Sequence, residues 1–169
     1  MPTPYDSIPA MNYDLDTGHG GNIYYQNALA SDLILIKNKI NLVDSSFTPN
    51  NAYVITYDQV PDFSTGLLKA SFQIILATDS ITSYVILQYF SCMSSLRVTP
   101  GLYYINQQCV SVLNKIEIST NPCSSSNVNE AGTWILSSFN LTSYIQSPYN
   151  YIGKWRFSTD FKNLLFSMY

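Results

Sequence analysis

Two apolar runs constrain this chain more than anything else in it. FQIILAT at 72–78 and ITSYVILQY at 81–89 stand on either side of Asp79-Ser80. Both are rich in β-branched and aromatic residues, which pack well on a pleated surface. A turn dipeptide between two such runs predicts a β-hairpin, although Asp-Ser is a weaker turn than Asp-Gly. Neither run alternates apolar with polar residues. A hairpin apolar on both faces is expected at the centre of a sheet that is covered on both sides.

Further strand signals surround the hairpin. AYVITY at 52–57 lies between Asn50-Asn51 and Pro61, and Thr99-Pro100-Gly101 is a strong turn before runs at 102–105 and 110–118. Residues 121–129 form a Pro/Ser/Asn loop, and runs at 134–139 and 151–157 complete the series. One segment has a different period. From 27 to 43, Leu29, Leu33, Ile36, Ile40 and Val43 recur at steps of three and four, the spacing of a helix face. Ser31-Asp32 falls in its first turn, where a carboxylate complements the helix dipole. LILI at 33–36 also fits a strand. The expected fold is mainly β, a sandwich or curved antiparallel sheets with one flanking α-helix; α+β is the alternative.

The chain has 169 residues, which suits one domain. Residues 1–12 carry three prolines and read as a lead-in or linker, 13–160 as the domain, and 161–169 as a tail or final strand. Met1 begins no signal-peptide layout and is read as an artificial start or the trimmed boundary of a longer protein. Only 11% of residues are charged, so Ser, Thr, Asn, Gln and Tyr must keep the surface soluble. The net charge is −3, and eight scattered Lys and Arg make no basic stripe. That argues against nucleic acid and anionic membranes as partners. No apolar run reaches the roughly 18 residues of a membrane span, so direct insertion of this segment is not expected.

Several short motifs invite a chemical reading. Asp16-Thr17-Gly18 matches the heart of an aspartic protease, and a homodimer would supply the second carboxylate of a dimeric hydrolase. The run before Asp16 is not an apolar strand, however, and Asp and Gly favour turns for backbone reasons alone. His19-Gly20-Gly21 resembles an esterase oxyanion loop but lacks the G-x-S-x-G elbow that such chemistry needs. Asp14 and Asp16 with the neighbouring glycines suggest an irregular calcium loop. An EF-hand is excluded, because its twelfth position would be Tyr25. Cysteine and histidine spacings offer no zinc site, and no cofactor is expected.

Three cysteines, Cys92, Cys109 and Cys123, leave one over in any disulfide scheme. The turn at 99–101 lies midway between Cys92 and Cys109, so a hairpin there would bring them nearly opposite. That pair is expected, with Cys123 free or bonded to another chain; Cys109–Cys123 is the alternative, and three reduced thiols are a third state. Asn140-Leu141-Thr142 is an N-glycosylation sequon that would be used in a secreted protein. Tyr24-Tyr25, Tyr103-Tyr104 and Tyr149 with Tyr151 are candidates for an aromatic contact patch, set against the reading that half of each alternating pair fills the core.

Several segments, in order, resemble the nidogen-like (NIDO) domain family. They are DLDTGHGGNIYY at 14–25, AYVITYDQVPDF at 52–63, FQIILATDSITSYVILQY at 72–89, AGTWILSSFNLTSY from 131, and GKWRF at 153–157. Tyr57 stands where the family usually has Trp, and Ser80 where Gly is common. The resemblance implies an extracellular or cell-surface module without enzymatic activity, acting in cell–matrix adhesion through contact with a matrix or cell-surface protein. A lectin-like carbohydrate-binding domain is the alternative, since Tyr and Trp faces stack on sugars. An aspartic hydrolase using Asp16 is the second alternative.

Overall fold

The computed structural model describes residue 10 and residues 14–92, 102–105, 108–111 and 121–137. It contains strands β1 (Asn22–Asn27), β2 (Asn51–Pro61), β3 (Lys69–Thr78), β4 (Ser83–Ser91), β5 (Leu102–Ile105), β6 (Gln108–Ser111) and β7 (Thr133–Ser137), with helix α1 (Ala30–Ile40) and a 3₁₀ turn at Thr17–His19. β1, β2, β3, β4 and β7 form one antiparallel five-stranded sheet in that order, and β5 and β6 form a separate two-stranded ribbon. The mainly β fold with one flanking helix is therefore present.

The central hairpin runs as β3 against β4, with Phe72 opposite Tyr89 and Thr78 opposite Ser83. Its side chains alternate between two buried clusters. Ile74 and Leu76 join Tyr53, Ile55, Tyr57, Val85, Leu87, Tyr89, Trp134 and Leu136 on one face. Ile75 and Ala77 join Ala52, Val54, Tyr84, Ile86 and Ile135 on the other. This is the period of two that a strand imposes, with both phases filled by apolar residues.

The turn is longer than Asp79-Ser80. Asp79 Oδ1 accepts from the amides of Ile81 (2.8 Å) and Thr82 (2.6 Å), and these bonds hold both residues in the loop. β4 consequently starts at Ser83 rather than 81. Ser80 has a φ of 80°. That left-handed conformation is one glycine adopts without a steric cost.

Helix α1 covers the second face. Ile36 and Ile40 are buried there and Leu33 partly so, while Leu29 and Val43, the ends of the expected stripe, are exposed. Asp32 Oδ2 accepts from the Leu29 amide at 2.9 Å, which ties the first turn. Lys39 pairs with Glu130 in the loop before β7. After the helix, Phe47 packs edge-on against Tyr84 with centroids 4.7 Å apart, and the Tyr84 hydroxyl donates to Asp44 Oδ2 at 2.8 Å. Burial, with the Asp44 carboxylate beside it, pushes the Tyr84 hydroxyl up to about 12. The Ser46 hydroxyl, with Tyr84, lowers Asp44. On the first face Ala10, within the stretch read as a lead-in, is buried, and the Tyr89 hydroxyl donates to its carbonyl.

The expected disulfide is corrected. Cys92 bonds to Cys123, with Cα atoms 6.0 Å apart. Cys92 directly follows β4 and Cys123 precedes β7, and β4 and β7 are neighbours, with Leu87 opposite Trp134. Cys109 lies in β6 opposite Tyr104 of β5, in the separate ribbon, so residues 92 and 109 are not two arms of one hairpin. Cys109, not Cys123, is the odd cysteine. Pro122, adjacent to the bridge, accepts from the Trp134 indole at 3.3 Å. Gly132 makes the return into β7 possible: its φ is 80°, and a Cβ there would meet the Tyr89 carbonyl at 2.5 Å. Of the expected runs, 134–137 and 110–111 are strand, and residues 112–118, 138–139 and 151–157 lie outside the described residues.

The bridge spans 31 residues, a separation for which loop closure stabilises by about 3–4 kcal/mol. Alkylation before reduction is expected to label Cys109 alone, and peptide mapping to link Cys92 with Cys123. A Cys92→Ser variant should lose roughly that stability in urea unfolding.

Candidate interaction surface

Among the described residues, β1 is an edge strand of the large sheet. Its register runs from Asn22 opposite Asp58 to Asn27 opposite Tyr53 on β2. All six of its residues are exposed, including Ile23 (44%), Tyr24 (55%) and Tyr25 (68%). Ile23 and Tyr25 stand opposite Tyr57 and Ile55, so they extend the face that holds those residues. Tyr25 stacks on Tyr53 with centroids 6.2 Å apart. Tyr24 and Gln26, opposite Thr56 and Val54, lie on the helix side. Beyond the strand, Leu29, Ile34 and Leu35 are also more than half exposed. Residues 20–31 contain no charge. Edge strands are usually blunted by charges, proline or bulges, and β1 carries none of these.

The chain before β1 is pinned to the end of β2. The Asp16 amide donates to the Pro61 carbonyl at 3.0 Å, Leu15 bridges to Asp62, and the Phe63 amide donates to the Asp14 carbonyl. Gly21 lies so close to β2 that a Cβ would meet the Gln59 carbonyl at 2.5 Å, and its φ of 70° also requires glycine. Gln59 sits in a bulge, where the β2–β3 register shifts between Tyr57 and Val60; its amide and side chain both donate to Ser71 Oγ.

Asp62 organises this end of the sheet. It is fully buried and accepts from Ser64 Oγ (2.6 Å), the Thr65 amide (2.8 Å) and hydroxyl, and the Leu68 amide (2.9 Å). The Ser64 hydroxyl, with these other donors, holds the Asp62 carboxyl well below the usual carboxylate range against the opposing effect of burial. Asp62 is not among the candidate residues that the sequence offers, although Asp-Phe-Ser-Thr-Gly at 62–66 is an Asx-turn pattern.

The Asp16-Thr17-Gly18 motif forms a 3₁₀ turn at Thr17–His19. Asp16 Oδ1 accepts from the Gly18 amide at 2.7 Å, capping the 3₁₀ turn, and His19 Nδ1 lies 2.9 Å from Oδ2. Both oxygens thus have partners within the turn. Among the described residues no group of three or more His, Cys, Asp or Glu side chains gathers around Asp14 and Asp16 or elsewhere. Among them, too, no helix is long and apolar enough to cross a membrane. Of the candidate tyrosine pairs, Tyr24 and Tyr25 are both exposed, Tyr103 and Tyr104 lie in β5, and Tyr149 and Tyr151 lie outside the described residues, as does Asn140.

A carboxyl depressed in the folded state stabilises it above the unfolded value of 3.8, and that contribution is lost as pH falls toward the folded value. The urea midpoint is therefore expected to fall below about pH 4, and to fall less steeply in an Asp62→Asn variant. Parallel pH profiles for the two proteins would show that Asp62 is not the group responsible.

A family model for the nidogen-like domain matches residues 1–139. No curated protein and no solved structure matches the chain. The matched stretch takes in the whole five-stranded sheet, the helix and the bridge from Cys92 to Cys123. With 139 of its 169 residues matched, the chain belongs to the nidogen-like domain family.

Proposed function

We propose that this chain is a non-enzymatic module of cell–matrix adhesion that binds an extracellular matrix or cell-surface protein through the β1 edge. Nidogen-like domains are extracellular modules, and the family supplies the setting. The observation that carries the reading is the exposure of Ile23, Tyr24 and Tyr25 on an uncharged edge strand. Tyrosine offers a large contact area at a small entropy cost and is enriched in binding interfaces. A disulfide beside the sheet suits an oxidising compartment.

Contact of this kind draws on apolar area and main-chain amides rather than charge. Binding of the secreted domain to cell-deposited matrix is expected to saturate and to change little over a roughly tenfold rise in salt. A Tyr24→Ala/Tyr25→Ala variant should bind about tenfold or more weakly, in keeping with loss of two central aromatic contacts. A steep loss with salt, or full binding by the double variant, would count against this surface.

Secretion also brings Asn140 within reach of glycosylation, and we assign the glycan to that sequon. Intact mass of the domain from eukaryotic cells should exceed the chain mass by one glycan, and Asn140→Gln should abolish the excess. An unshifted mass for the parent protein would remove the assignment.

A further inference from the structure

The open edge of β1 is self-complementary, and we propose that it pairs antiparallel with β1 of a second copy of this chain. The inference rests on the reading of β1 as a contact surface and names a second copy as an occupant that competes there with the matrix partner.

The direction of the backbone groups comes first. The Ala28 amide donates to the Ala52 carbonyl at 2.9 Å. In an antiparallel ladder, hydrogen-bonded and non-bonded pairs alternate. Counting back from Ala28, the even-numbered residues of β1 bond to β2. The amides and carbonyls of Ile23, Tyr25 and Asn27 therefore point to the open edge.

A two-fold axis between antiparallel strands stands perpendicular to the sheet and keeps each side chain on its own face. The axis must then pass a residue opposite itself. With Tyr24 on the axis, Ile23 of one copy lies opposite Tyr25 of the other, twice. Those residues carry outward amides, so each pair exchanges two hydrogen bonds. Their side chains cluster on the face that already holds Tyr53, Ile55 and Tyr57. On the opposite face Tyr24 meets Tyr24, and Asn22 meets Gln26, amide against amide. Tyr24 falls at a non-bonded position, where facing side chains are closest. Apolar residues meet apolar and amides meet amides. No charge between residues 20 and 31 repels its own copy.

A register centred on Tyr25 is poorer, because it sets Ile23 against Asn27 and Tyr24 against Gln26. A paired strand of six residues spans about 20 Å, so this contact lies at the small end of specific interfaces and suits a reversible, micromolar dimer.

Sedimentation equilibrium of the secreted domain, at concentrations on the order of 1–100 µM, tests this directly. The expected result is a reversible monomer–dimer equilibrium that Tyr24→Lys weakens at least tenfold, because two ammonium groups would then face each other across the axis. Tyr24 is exposed, so the substitution leaves the core intact; a circular dichroism melt verifies this. In a Cys109→Ser background, Tyr24→Cys is expected to cross-link two copies under mild oxidation, whereas Asn27→Cys is not. A wild-type protein that stays monomeric, a dimer indifferent to Tyr24→Lys, or preferential cross-linking at 27 would overturn the proposal. Monomeric protein that still binds matrix saturably would sink the dimer and spare the adhesion reading. A dimer that binds no matrix would do the reverse.

Discussion

The burial of β3 on both of its faces is the constraint on which the rest of the domain depends. Ile74 and Leu76 point into one cluster and Ile75 and Ala77 into the other, and all four are buried. A strand in this position needs a neighbour along each edge and a cover over each face, or its amides and apolar area face water. β2 and β4 supply the edges. Helix α1 covers one face through Ile36 and Ile40. On the other face Ala10 is buried against the sheet, and the partly buried Leu15, Leu68, Cys92 and Cys123 pack on the same cluster.

Cost then falls on the periphery. Three of the described connections carry something unusual: a left-handed Ser80, a glycine at 132 pressed against the Tyr89 carbonyl, and a bulge at Gln59 with a buried carboxylate at Asp62. Such departures are concentrated at the ends of strands because the central ladder leaves no room for them. The bulge and the Asp62 turn share a consequence. They hold the chain from Asp14 to Gly21 against the end of β2, and thereby aim β1 along the outer edge of the sheet. The scaffold is thus closely packed where it is apolar on both sides, and it presents an uncharged aromatic strand at its edge.

How much of this is legible in the sequence depends on whether burial leaves a period there. The β3–β4 hairpin is plain, because two short β-branched runs, apolar on both phases and joined by a turn, fit a doubly covered sheet centre and little else. The helix is legible from its steps of three and four, although LILI at 33–36 also fits a strand and only Leu33, Ile36 and Ile40 of the stripe meet the sheet. β1 is not legible as a strand. NIYYQN is exposed on both faces, so no alternation marks it, and only its pairing with β2 makes it extended. Its tyrosines are nevertheless candidates for a contact patch from the sequence alone, and both are exposed, whereas the rule that one of each pair fills the core fails for them. Cysteine spacing points to the wrong bridge because Cys109 belongs to a ribbon separate from the main sheet. Strand order, which brings Cys92 beside Cys123, is a long-range property that spacing does not carry.

Residue-level amide hydrogen exchange on the dilute domain tests the dependence on a doubly buried β3 most directly, since it reads the protected centre and the open edge in one measurement. The amides of β3 and β4 are expected to exchange only through global unfolding, while those of Ile23, Tyr25 and Asn27 exchange at nearly the rate of an unprotected chain. Protection of those three amides equal to that of β3 would mean that the edge is already covered within a single molecule, and would contradict it.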